Sequence, residues 1–224
     1  MCSTVKLYYT WNNLKLPPDT MEQYLDQLPE EMRRKICRFK RWQDAQASLY
    51  GKLLLKSALE DAKLSQSLAD ITSGIFGKPV LPGVGFNISH TDGLVLCAFA
   101  FNNEIGVDTE KNSPIDVSDF KTQFSDDEWR EITYAPDQVS KFYNCWTAKE
   151  AVLKACGKGL SLPMCSVTGL DNVFYVDGIN WYLRSINLFP LYIIQLASQF
   201  PVRTVLPVMK VFNQCTHIAY NQTE

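Results

Sequence analysis

Gly106-Val107-Asp108-Thr109-Glu110, followed about forty residues later by Trp146-Thr147-Ala148-Lys149-Glu150-Ala151 and then by Lys154 and Gly157-Lys158-Gly159-Leu160, decides the reading of this chain. Ile105 to Glu110 reads as a short strand. Side chains alternate faces along a strand, so Asp108 and Glu110 point one way while Val107 and Thr109 point back into the core. Two rises of about 3.3 Å put the acids roughly 7 Å apart on one face, where one small hard cation can bridge them. Mg²⁺ usually combines one or two carboxylates with waters and substrate phosphates, and two acids suit that pattern. An isolated carboxylate on a site-facing strand contributes little to the core, so Asp108→Ala is expected to spare the fold.

The second element is a helix from Gln138 to Cys156, with Phe142, Trp146, Leu153 and Cys156 at helical spacing and Gly157 as its stop. Glu150 and Lys154 share one face. The carboxylate completes a metal site or takes a proton, and the lysine one turn later holds a phosphate oxygen as a point charge. Taken alone, the pair is an ordinary i, i+4 ion pair. Three carboxylates and several lysines on two adjacent elements point instead to a metal ion holding a phosphorylated ligand.

Outward from this centre, Val5 to Thr10 alternates like a first strand, Leu14 to Pro18 is a loop, and Thr20 to Leu28 is a short helix. Pro29 opens a basic helix running through Arg33, Arg34, Lys35, Arg38, Lys40 and Arg41. Asp44 to Lys63, with Leu49, Leu53 and Leu54 on one stripe, is the strongest helix of the first half. A loop around Gly74 to Gly85 carries Lys78. Phe86 to Ser89 and Leu94 to Phe101 form a hairpin with Asp-Gly at its turn. Asn102-Asn103 is the linker candidate, dividing the chain into 1–102 and 103–224. Asn172 to Val176, Asn180 to Ile186, Leu191 to Ala197 and Met209 to Phe212 are rich in strand-forming residues. Both halves thus run strand, helix, then hairpin strands.

With 46% hydrophobic and 21% charged residues, the 224-residue chain has the makeup of a globular protein with a sizeable core. A net charge of −2 leaves no bulk basic field to recruit nucleic acid or anionic lipid. The seven cysteines, at 2, 37, 97, 145, 156, 165 and 215, are odd in number and lack Cys-x-x-Cys spacing. That argues for reduced thiols in a cytoplasmic protein, against a zinc site, and for Cys97, Cys145 and Cys156 as small packing groups. Met1-Cys2-Ser3-Thr4 lacks the apolar stretch of a secretory signal, and no run approaches the ~18 apolar residues of a membrane span. No membrane partner is expected.

The order of these motifs resembles a known family. The 4′-phosphopantetheinyl transferases, in particular the broad-specificity type that activates surfactin synthetase, carry a Gly-[Ile/Val]-Asp-x-Glu strand and, about forty residues later, Trp-x-x-Lys-Glu-[Ala/Ser]. Further matches lie in register at Gly77-Lys78-Pro79, at Phe86-Asn87-Ile88-Ser89-His90-Thr91, at Phe124-Ser125 with Glu128, and at Gly157-Lys158-Gly159-Leu160-Ser161-Leu162-Pro163. The resemblance runs from about Arg33 to Pro163. It implies an α/β (α+β) fold of two similar halves related by a pseudo-twofold, each a small sheet packed against helices, with the active site in the cleft between them. Residues 1–102 would contribute to coenzyme A binding and residues 103–224 would carry the metal-binding and catalytic groups.

The resemblance also implies the reaction. The 4′-phosphopantetheine arm of coenzyme A passes to a serine of an apo acyl or peptidyl carrier protein, releasing adenosine 3′,5′-bisphosphate. Mg²⁺ would sit on Asp108, Glu110 and Glu150, and either Glu150 or a water held by the ion would take the serine proton. Lys154 would hold an α- or β-phosphate oxygen with Lys149 beside it, Ser89 would reach the phosphates, and His90 would meet the 3′-phosphate. Lys78 would contact the nucleotide end. Because both halves of the site lie in one chain, a monomer is expected.

The chain departs from the family where members often carry a lysine and an arginine on the 3′-phosphate, since Met32 and Ala47 stand at those places and only Lys35 is retained. A weaker preference for coenzyme A over its 3′-dephospho form follows, with Ala47→Arg expected to sharpen it. His217 lies outside every matched motif. Other classes remain: a module that binds coenzyme A or a nucleotide without transferring anything, a nucleotidyl or phosphoryl transferase, and a nucleic-acid surface on the basic helix. The last two lack a Gly-rich phosphate loop and a recognised fold signature, respectively.

Overall fold

Leu94–Phe101 is apolar at every position, the pattern of a strand covered on both faces, and the rest of the chain is arranged around it. The computed structural model describes residues 3–212. The first half runs β1 (Ser3–Trp11), α1 (Pro18–Leu25), α2 (Glu30–Ile36), α3 (Trp42–Asp61), β2 (Thr72–Ser73), β3 (Pro79–Val80), β4 (Val84–Thr91) and β5 (Leu94–Phe101). The second runs β6 (Ile105–Lys111), α4 (Asp126–Thr133), α5 (Gln138–Cys156), β7 (Gly169–Leu170), β8 (Val173–Val176), β9 (Ile179–Ser185), β10 (Tyr192–Ser198) and β11 (Val202–Met209).

Two sheets result, ordered β11-β1-β5-β4 and β6-β10-β9-β8-β7, besides the small β2-β3 pair. Val95, Cys97 and Phe99 on one face of β5 join Leu49, Leu53 and Leu54 of α3 in one core cluster. Leu94, Leu96 and Ala98 on its other face pack with Val107, Ile194 and Leu196 of the second sheet. In the second half Ala151, Val152 and Ala155 of α5 pack against Trp181 and Ala197. Each half therefore lays one long helix on one sheet, the mixed α/β plan of two similar halves. Gly93, at φ +80°, makes the expected Asp-Gly turn between β4 and β5.

Three expectations are corrected. The basic helix ends at Ile36, its one buried residue; positions 37–41 are all exposed, so no apolar face holds them in a helix. The last strand is Val202–Met209, not Met209 to Phe212. It pairs in parallel with β1, from Ser3 opposite Val202 to Tyr9 opposite Met209, so the second half returns its final strand to the first half's sheet. The sheets therefore do not divide where the chain does, at residue 102. Pro207 obscures this strand in the sequence, yet β11 is an edge, where a missing N–H is tolerated. Within the Gly74 to Gly85 loop, Pro79–Val80 forms β3, paired with β2 just before the loop. Cys2, Cys215 and His217 lie outside the described residues.

Thr109 points into the core, 1% exposed, as the alternation requires, and its Oγ1 has no hydrogen-bond partner. A buried hydroxyl without a partner costs about 1–3 kcal/mol. Thr109→Val is expected to raise stability by about 1 kcal/mol with activity unchanged, measured by urea unfolding. A destabilised variant would mean that the hydroxyl is paired after all.

Candidate active site

Strands β4 and β6 belong to different sheets, yet side chains join them where the two halves meet. Asn87 Oδ1 accepts from the Val107 amide at 3.0 Å, Ser89 Oγ donates to Asp108 Oδ1 at 2.9 Å, and Thr91 Oγ1 donates to Glu110 Oε2 at 3.1 Å. Asn87, Ser89 and Thr91 are alternate residues, so the strand period aims all three at β6. Gly85, two positions earlier, lies where a Cβ would stand 1.8 Å from Asn103 O. On the next element, a Cβ on Gly106 would fall 2.2 Å from Ala151 O and 2.3 Å from Ala155 N. Glycine at that position lets α5 lie close on β6, which brings Glu150 and Lys154 to Asp108.

The result is a cleft of about 340 Å³ on which Ser89, His90, Asp108, Glu110, Glu150 and Lys154 converge, between the apolar walls Ile88 and Trp146. Lys154 Nζ donates to Asp108 Oδ1 at 2.6 Å and to Ser89 Oγ at 3.1 Å. An ammonium has three N–H donors, so one remains for a ligand oxygen. Burial raises the Glu110 carboxyl pKa, with the Asp108 charge adding to it. Burial raises Glu150 as well, partly offset by Lys154. His90 is held below its ordinary value by partial desolvation first and then by the Lys154 ammonium, with Lys52 adding to the effect.

Among the described residues no three of His, Cys, Asp and Glu form a ready cage for a metal ion. The donor set nevertheless fits a hard cation that borrows ligand oxygens. Asp108 Oδ2 is buried with no hydrogen-bond partner, and it shares the cleft with two carboxyls that gain from neutralisation of the local negative charge.

Asp108 itself is 4% exposed and holds both Ser89 and Lys154, so the expectation that Asp108→Ala would spare the fold is corrected. Removing this carboxylate strands a lysine.

Two expected ligand-binding lysines are engaged elsewhere, and a third, Lys35, lies near enough to Lys52 for its charge to act there. Lys149, 1% exposed, points away from the cleft, donating to Glu128 Oε2 at 2.7 Å and to Met164 O at 3.0 Å. Glu128 also closes the capping box of α4 with Ser125. The Phe-Ser-x-x-Glu segment and the lysine of Trp-x-x-Lys-Glu are thus partners in structure. Lys149→Ala is expected to cost about 3 kcal/mol by leaving Glu128 without its cation, measured by thermal unfolding. Coenzyme A affinity of the folded variant should be unchanged; a selective loss of affinity would return Lys149 to the cleft. Lys78 Nζ is engaged by Glu104 Oε2 at 2.7 Å and Ala155 O at 2.6 Å, tying the end of α5 to the joint between the halves. Lys35 is exposed and paired with Glu31 on its own helix.

The sequence reading missed Lys52. Half-buried on α3, its Nζ donates to Ser48 Oγ at 3.2 Å, and burial lowers its pKa, with the Lys35 charge adding to the effect. Asp44, Ser48 and Lys52 recur every four residues along the helix, the polar stripe that would have revealed it. Ala47, by contrast, is 3% exposed in the core and Met32 packs against the same cluster. An arginine at position 47 would have to be buried, which corrects the expectation for that substitution.

Comparison with known proteins matches two successive stretches of the chain to one family. Residues 104–185 match the family described as the 4'-phosphopantetheinyl transferase superfamily, and residues 11–102 match the 4'-phosphopantetheinyl transferase N-terminal family. The 4'-phosphopantetheinyl transferase Sfp of Bacillus subtilis is 34% identical over 168 residues, covering 72% of this chain and 75% of that protein. The 4'-phosphopantetheinyl transferase gsp of Aneurinibacillus migulanus is 32% identical over 152 residues, 66% of this chain and 61% of that one. The L-aminoadipate-semialdehyde dehydrogenase-phosphopantetheinyl transferase of Rattus norvegicus is 30% identical over 155 residues, 61% and 50% respectively.

Proposed function

Because this chain belongs to the 4′-phosphopantetheinyl transferase superfamily, we propose that it uses the cleft between its halves to transfer the 4′-phosphopantetheine moiety of coenzyme A to a serine of an apo carrier protein. It is an enzyme, and the released product is adenosine 3′,5′-bisphosphate. The serine oxygen attacks the β-phosphorus, the bond from that phosphorus to the bridging oxygen breaks, and the serine proton passes to a base. The nucleophile comes from the partner, so the cleft's own task is to hold the pyrophosphate, neutralise charge developing on it and accept a proton.

Asp108, Glu110 and Glu150 are the residues that would hold Mg²⁺, which supplies Lewis-acid stabilisation at the pyrophosphate when bound. The orphaned Asp108 Oδ2 is the observation that supports this most directly. Glu150 takes the serine proton, its carboxylate standing in the cleft beside Asp108 and Lys154. Lys154 offers its third donor to a phosphate oxygen and Ser89 fixes the lysine from below. His90 and Lys52 take the 3′-phosphate, with Lys35 adding positive charge at the rim, in place of the cations absent at Met32 and Ala47. Lys52→Met is therefore expected to reduce the preference for coenzyme A over 3′-dephospho-coenzyme A by about tenfold or more, since a charge-assisted contact contributes roughly 1.5–3 kcal/mol. Equal kcat/KM ratios for the two donors in wild type and variant would remove Lys52 from the site.

Among the described residues no helix is long and apolar enough to cross a membrane, and the cysteines there are free. The free thiols favour a reducing, cytoplasmic location, and a site assembled from both halves of one chain favours a monomer. The deciding experiment incubates the protein with coenzyme A and a panel of apo acyl and peptidyl carriers, with and without Mg²⁺. The expected result is a mass gain of one phosphopantetheine that disappears in excess chelator. Full activity in chelator would overturn the metal assignment. Binding of coenzyme A with no modified carrier would favour a binding module instead.

A further inference from the structure

Each carboxylate that β6 aims into the cleft meets a hydroxyl from β4. Ser89 reaches Asp108, and Thr91 reaches Glu110 one strand period further along both strands. Asp108 is held by Lys154 as well. Among the described residues the Glu110 side chain takes no hydrogen bond besides the one that Thr91 gives to its Oε2. Its other oxygen, Oε1, is left for the cleft.

Thr91 is itself held in place. Its Oγ1 accepts from the Lys111 amide at 3.4 Å, which directs its single hydroxyl proton to Glu110. Its branched Cβ restricts χ1. The turn that follows is tied to three separate elements: Lys111 Nζ of β6 lies 2.7 Å from Asp92 Oδ2, Tyr192 Oη of β10 donates to Asp92 O at 2.9 Å, and the Asn12 amide, just past β1, donates to Gly93 O at 2.9 Å. A hydroxyl on so fixed a support fixes the carboxylate it touches.

Resting on the metal-holding role proposed above for Asp108, Glu110 and Glu150, we propose that Thr91 is a positioning residue for the cation. It occupies Oε2 of Glu110 and turns Oε1 to the cleft, so the carboxylate is oriented before any ligand arrives. A glutamate left free would lose its rotamer freedom at the moment of binding, and holding it beforehand removes that cost. Thr91 is not among the residues that line the cleft, so it acts only through Glu110. Outer hydrogen bonds of this kind change metal affinity by roughly 10–100-fold.

The test titrates Mn²⁺, which takes the same oxygen donors as Mg²⁺, into the full chain with coenzyme A present, and reads free Mn²⁺ by electron paramagnetic resonance. Metal-free calorimetric titration with coenzyme A and thermal unfolding run beside it. Thr91→Val keeps the shape and loses the hydroxyl; it is expected to weaken Mn²⁺ by about 10–100-fold and to leave metal-free coenzyme A affinity unchanged. Thr91→Ala is expected to behave alike and guards against a packing defect peculiar to valine. Thr91→Ser keeps the hydroxyl and is expected to restore most of the affinity. Folded valine and alanine variants that hold Mn²⁺ as wild type does, or a serine variant as weak as valine, overturn the positioning role and leave the metal site standing. Equal losses of Mn²⁺ and of metal-free coenzyme A overturn it too, since they mark a distorted cleft. Wild type that binds no Mn²⁺ refutes the metal site and the role of Thr91 with it.

Discussion

Glu150→Gln is expected to lower kcat by about 10²–10⁴-fold, the usual contribution of a positioned general base, while the Kd for coenzyme A changes by only a few-fold. Glutamine keeps the shape and a ligand oxygen but cannot accept a proton, and it removes one negative charge from a cleft where burial and Asp108 already raise the pKa of the acid. The folded state should therefore be no less stable than wild type. Rapid-quench assays of carrier modification beside calorimetric binding separate the two quantities. Normal turnover in the variant would sink both the base and the metal-holding role proposed for this residue.

Gly106→Ala should be a severely damaging single-methyl change, because it strikes the packing that forms the cleft. The added carbon would stand 2.2 Å from Ala151 O and 2.3 Å from Ala155 N, both backbone atoms of α5 that no rotamer change can move. Either the helix lifts from β6 or the strand bends, and both carry Glu150 and Lys154 away from Asp108. A loss of about 4 kcal/mol or more is expected, a fall of roughly 8–16 °C in Tm for a chain of this size, with transfer activity lost in whatever remains folded. Wild-type melting and activity would show that the helix is not held against this strand in solution.

Much of this was legible beforehand. The α5 boundaries follow from the periodicity of Phe142, Trp146 and Leu153 and from Gly157, which adopts φ +75° as a helix stop requires. Asp108 and Glu110 share a face because a strand allows nothing else. The motif spacing identified the family, and the buried thiol of Cys97, whose pKa burial pushes up, behaves as the small packing group expected. Local periodicity and residue chemistry are properties of short stretches, so a sequence carries them openly.

What lay beyond reading was the partner of each charge. Lys149 and Lys154 sit five residues apart on one helix, a rotation of about 500°, and so face different surroundings. Only packing reveals that one is sealed against Glu128 while the other meets Asp108. Lys78 reads as a loop residue that meets the nucleotide end, yet its ammonium joins the ends of two elements far apart in the chain. The return of β11 to β1 spans nearly the whole sequence, and no local pattern encodes a pairing made across such a distance. By itself the sequence determined which residue types stand on each strand and helix face, because backbone geometry fixes that locally. The tertiary structure alone decided which faces meet, because an ion pair or a shared cleft depends on distances that exist only after the two halves have closed on each other.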